Sequence, residues 1–132
     1  MSNDNSDTAK SPYELLGGDV GVRSVVTEFY HLMDTLPEAA SIRAMHKGDL
    51  TEMSEKLAVF LIGWMGGPQN YNERFGRIII PTVHSRFDIG EGERDQWLLC
   101  MRGALGNSAL GQDMITRLMK AFTQMADMCR TK

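Results

Sequence analysis

Few residues in this chain have a chemistry to offer. The sharpest of them stands in "IIIPTVHSRFDIG", residues 78 to 90, where an apolar run ends in His84, with Arg86 and Phe87 just beyond. No second histidine or cysteine lies nearby. A zinc site needs three or four protein ligands, and the sequence does not cluster them. A haem iron needs only one neutral imidazole, because the porphyrin supplies the four equatorial nitrogens. Such a site also wants a greasy slot and a cation near the propionates. A lone histidine serves equally well as a helix cap or a hydrogen-bonded core residue, and spacing alone favours that plainer reading. Of the other two histidines, His31 follows Tyr30 off an apolar face and reads as solvated, while His46 closes a short segment. There is no nucleophile–base constellation, no glycine-rich phosphate loop after a strand and no HExxH pattern.

The elements that must position these residues are helical. Val22, Val25, Val26, Phe29, Tyr30 and Met33 recur at three- and four-residue steps, which places them on one helix face. A second helix opens at "DLTE", where Asp49 and Glu52 have capping-box spacing, and its apolar face runs through Leu50, Met53, Leu57, Phe60, Leu61 and Trp64. "GGP" at 66 to 68 ends it, since glycine permits a left-handed cap and proline cannot continue the helix. Third and fourth faces read Trp97, Leu98, Met101, Leu105 and Met114, Ile115, Leu118, Met119, Phe122, Met125. "LPEAASIRAMH" holds a short helix. "RIIIPTV" reads as a loop leading into another, because Pro81 breaks the run and no partner strand is visible. "GGDVG" at 17 to 21 joins a terminal segment to the first long helix. An all-α domain follows, and periodicity does not say whether it is a bundle or a globin-like arrangement.

Composition narrows the function classes. The chain has 132 residues, enough for one domain with a real core, and its hydrophobic and charged fractions of 42% and 23% are ordinary for a soluble protein. A net charge of -3 supplies no basic field for nucleic acid. No apolar stretch approaches a membrane span. Residues 1–12 read as a flexible polar arm without a signal segment, and 13–132 as a single domain of a cytoplasmic protein. Cys100 and Cys129 are far apart and read as free thiols.

Taken together, "FY" at 29 to 30, "FLIGWMGGP" at 60 to 68, His84 with Phe87, Ile89 and Gly90, and "ERDQWLLCM" at 93 to 101 resemble the truncated globins, in particular their second group. No single piece is specific, but their order and spacing are. The resemblance covers about residues 13 to 125 and implies a two-over-two helical sandwich around one haem b, with the four long helices being those lettered B, E, G and H. It makes His84 the proximal ligand of the iron. Tyr30 and Trp97 become distal hydrogen-bond donors, with Met53 and Leu57 facing the ligand and Phe60 one turn on against the haem. Arg86, Arg77 and Tyr71 become partners for the propionates, with Phe87 beside the haem. His46 falls near the corner that overhangs the pocket. One departure is that Met53, at the ligand-facing position of the second helix, cannot donate a hydrogen bond. Distal polarity must then come from Tyr30, Trp97 and His46. The implied function is reversible binding of dioxygen and other diatomic ligands, CO and NO, by a monomer or weak homodimer. Nitric oxide dioxygenation or peroxide reduction, with electrons from a reductase, is the enzymatic alternative. A non-haem helical interaction module is the third.

Overall fold

Long helices form where apolar residues keep the helical step, and short ones where caps substitute for length. The structure, a computed structural model, describes residues 10–45, 51–75 and 90–128. Among these the elements are α1 (Pro12–Leu16), α2 (Asp19–Thr35), a 3-10 turn (Pro37–Ala39), α3 (Ala40–Met45), α4 (Thr51–Trp64), α5 (Tyr71–Phe75), α6 (Glu91–Gly106) and α7 (Gln112–Met128), with no strand. The four long helices are those expected from periodicity. Asp49 of the expected Asp49–Glu52 cap, the "RIIIPTV" loop and Cys129 lie outside the described residues.

Two short helices carry no periodic signal, because five residues complete little more than one turn. α1 is defined by its ends. The Ser11 side chain accepts from the Glu14 N–H, and the Glu14 carboxylate accepts from the Ser11 N–H, with Pro12 at the first helical position. The α1–α2 joint is the expected glycine one: Gly17 caps α1 at φ 98°, a conformation that penalises any Cβ. α1 then docks on the far end of α4 through the Tyr13 N–H, which donates to the Met65 carbonyl at 3.0 Å.

α2 is the central strut. It packs on α4 at one side and crosses α6 at the other, and α6 packs along α7. The two pairs, α2 with α4 and α6 with α7, form the two-over-two sandwich. The face of α2 read from periodicity is fully buried, from Val22 to Met33. Burial of each such side chain stabilises the fold by about 1.5–3 kcal/mol relative to exposure. α6 contributes Cys100, Met101, Ala104 and Leu105, and α7 contributes Ile115, Leu118, Met119 and Phe122. Burial raises the Cys100 thiol above its ordinary pKa, so this cysteine behaves as a small apolar core residue.

α4 departs from the single face expected of it. Its deepest stripe is Ala58, Leu61, Ile62 and Met65, turned toward α2. Met53, Leu57, Phe60 and Trp64 form a second stripe, also at helical spacing, in which Leu57, Phe60 and Trp64 are half-buried and Met53 is exposed at 39%. A helix apolar on two faces must meet two apolar surroundings. The core covers the first stripe fully and the second only in part.

Candidate functional site

Rings from four helices meet beside that second stripe. Phe29 of α2 is fully buried and touches Tyr30 edge-on at 5.0 Å and Trp97 of α6 at 5.2 Å between centroids. Trp97 meets Phe122 of α7 at 5.6 Å, and Phe122 meets Trp64 of α4 at 4.7 Å. These tilted and edge-on contacts favour the ring quadrupoles and fix the side chains against one another. Tyr30 and Trp97 are thus both held against one buried ring. Tyr30 is 7% exposed, and desolvation raises its hydroxyl well above the ordinary tyrosine pKa. It therefore stays protonated, a hydrogen-bond donor, across the physiological range.

The N-terminal turns of α6 place Trp97 through a succession of bonds. The Gly90 N–H donates to the Glu93 carboxylate at 2.9 Å, which ties down the helix start. Arg94 reaches Asp127 of α7 at 3.0 Å. The Gln96 side-chain oxygen accepts from the Ile42 N–H in the first turn of α3 at 2.9 Å. Gln96 escaped the sequence reading, since a polar residue beside a tryptophan carries no signal that it satisfies a backbone donor 54 positions away. A second ion pair, Arg43 to Asp34 at 2.9 Å, fastens α3 to the end of α2.

α5 closes the wall from the other end of α4. The Tyr71 ring stands edge-on to Phe60 at 6.2 Å. Behind it the Glu55 carboxylate takes a forked contact from Arg23 of α2, with Nη2 to Oε2 at 3.2 Å, and a second contact from Arg74 of α5 at 2.7 Å. Hydrogen bonds from Arg23 and then Arg74 pull the Glu55 carboxyl down to about 2.

The expected site residues divide in two. Among those described, Tyr30 and Trp97 both pack on the ring of Phe29, Tyr71 packs on Phe60, and Leu57 and Met53 share the second stripe of α4 with Phe60. His84, Arg86, Phe87, Arg77 and His46 lie outside the described residues. His31 is exposed, as expected. Trp64 and Phe122 read in the sequence only as members of apolar faces; Phe122 packs on Trp97 and Trp64 on Phe122, which makes them supports of the site. No group of three or more metal-ligating side chains occurs among the described residues.

The fit to a haem rests on the chemistry of this wall. Leu57, Phe60, Trp64 and Trp97 offer half-buried hydrocarbon along one side, which suits a flat, largely apolar macrocycle, and Tyr30 supplies a desolvated donor. Helix order and pairing define a two-over-two helical sandwich with an apolar wall that suits such a group.

The comparisons with known proteins agree. Residues 11–131 match the bacterial-like globin family. The group 2 truncated hemoglobin YjbI of Bacillus subtilis is 31% identical over 100 residues, covering 76% of this chain and 73% of that protein. Among solved structures, the cold-adapted truncated hemoglobin of Pseudoalteromonas haloplanktis TAC125 superposes with a TM-score of 0.89 at 31% identity, covering 93% of this chain and 99% of that one. The group II 2-on-2 hemoglobin of Agrobacterium tumefaciens does so with a TM-score of 0.88 at 37% identity, covering 92% and 95%. The chain belongs to the bacterial-like globin family and has the truncated, two-over-two globin fold. Membership implies haem-based ligand binding, in place of a non-haem interaction module. No helix among the described residues is long and apolar enough to cross a membrane.

Proposed function

We propose that the chain reversibly binds dioxygen and other diatomic ligands on one b-type haem, with His84 as the proximal ligand and Tyr30 and Trp97 as distal donors. The observation that carries this reading is the desolvated Tyr30 hydroxyl, held with Trp97 against the shared ring of Phe29 beside the apolar stripe of α4. Haem supplies the iron at which a diatomic molecule binds. The protein does the rest: it excludes water, fixes the plane of the macrocycle and aims donors at a ligand that gains negative charge on binding. Arg77, Arg86 and Tyr71 serve the propionates. The sequence has no C-x-x-C-H motif, so the haem is held without a thioether bond.

The first test is an absorption spectrum of the purified, haem-reconstituted chain. One haem per chain is expected, with a Soret band that shifts on adding carbon monoxide to the reduced form. A chain that takes up no haem would end this reading.

His46 completes the distal assignment. It directly follows α3, which Gln96 and Asp34 hold against α6 and α2, and Met53 cannot donate. Imidazole changes charge near neutral pH, whereas Tyr30 and indole do not. His46→Ala is therefore expected to remove a pH dependence of ligand release between pH 5 and 9. Superimposable spectra and equal rates for wild type and variant at every pH would place His46 outside the pocket.

A further inference from the structure

We infer that Glu55 is a positioning residue for haem: held between Arg23 and Arg74, its carboxylate seats α5, and with it Tyr71, against the half-buried stripe of α4. This rests on the haem reading above. Glu55 sits one turn before Ala58 on the face of α4 turned toward α2, opposite the stripe of Met53 and Leu57, and its carboxylate is shared by two cations from two other helices. Arg23 takes both carboxylate oxygens in a fork, which fixes the direction of the side chain as well as its charge. The oxygen at 3.2 Å from Arg23 is also the one that Arg74 contacts at 2.7 Å, so the rigid α2–α4 pair orients the acceptor that α5 uses. α5 has five residues and cannot be stable alone. Its described attachments to α4 include the Arg74 bond and the Phe60–Tyr71 ring contact, three residues apart on α5 and so on one face. Both arginines hold the Glu55 carboxyl well below the usual carboxylate range, so it is ionised near neutral pH, and the partly exposed clamp is open to screening by salt.

The test compares ferric, haem-loaded wild type with Glu55→Gln, Arg74→Gln and the double variant. The first readout is haem transfer to excess apomyoglobin, at low and at molar salt. The second is circular dichroism in the Soret region, which reports how the haem is seated. Each single variant should release haem about fivefold faster, the scale of an ion-pair network, and the double variant no faster than either. Added salt should speed release from wild type and leave the variants alone, and the Soret dichroism should change in Arg74→Gln even though its thermal unfolding stays close to wild type. If Glu55→Gln fails to fold, Arg74→Gln carries the comparison alone, since Arg74 is an exposed side chain on a terminal turn. Release at the wild-type rate with unchanged dichroism, or multiplicative effects in the double variant, overturns the inference while leaving the haem reading intact. A wild type that holds no haem overturns both.

Discussion

His84→Gly is expected to lose haem, and added imidazole to restore it. The porphyrin already satisfies four positions of the iron, so the one protein–iron bond in the proposed site is the axial imidazole. Changing groups that merely orient a metal ligand costs about 10- to 100-fold in affinity. Removing the ligand itself should cost more, and this is the largest single effect expected of any substitution in the chain. Glycine leaves a space of imidazole shape, which free imidazole can enter without the strain of a bulkier replacement. The measurement is a haem titration followed at the Soret band, with and without imidazole, beside the same titration of wild type. A variant that binds haem with wild-type affinity and spectrum in the absence of imidazole would show that His84 is a cap or core histidine.

The legible part of the fold was the part written in helical steps. The buried face of α2 was readable residue by residue, because all six apolar positions point one way and nothing else competes for them. α4 was only half readable. Ala58 and Ile62, which are buried, are less conspicuous than Phe60 and Trp64, which pack on the core with only part of their surface, so periodicity favours the more prominent of two apolar faces. Its partial exposure is now an argument for a ligand, and periodicity cannot separate a stripe that meets protein from one that meets a cofactor. α1 could have been found, since "SPYE" carries the same capping signature as "DLTE". α5 could not, because it is held by a ring contact and an ion pair, both made between residues distant in sequence.

The candidate site was legible for a different reason. Nothing in the spacing of Tyr30 and Trp97 relates them, and only the resemblance to the truncated globins put them in one pocket. The structure supplies the physical link, which is Phe29. That residue reads simply as core in the sequence, yet its ring holds the other two at fixed separation. The supports Trp64, Phe122 and Gln96 were invisible as such, since each acts across helices.

Tyr30→Phe and Trp97→Phe are each expected to release dioxygen about ten- to a hundredfold faster than wild type. Each substitution removes one hydrogen bond to a ligand that carries partial negative charge, and such charge-assisted bonds contribute about 1.5–3 kcal/mol. The loss should fall on release rather than on entry, because the donors act only once the ligand is in place. Tyr30→Phe should show the cleaner effect: it keeps the edge-on ring contact with Phe29 and deletes only the hydroxyl. Trp97→Phe also loosens the contacts with Phe29 and Phe122, so its change includes a packing component. Carbon monoxide separates the two causes. It gains less negative charge than dioxygen on binding, so the loss of a donor should barely move its release, whereas a packing change should move both gases alike. Between pH 5 and 9 the wild-type contribution of these donors should be flat. Desolvation raises the Tyr30 pKa, so the hydroxyl keeps its proton from acid up through the ordinary tyrosine value, and the indole does not titrate. The decisive measurement is stopped-flow dissociation of dioxygen and carbon monoxide from wild type, both single variants and the double. Unchanged dioxygen rates in both single variants would make Tyr30 and Trp97 core residues, and would leave His46 as the donor to pursue.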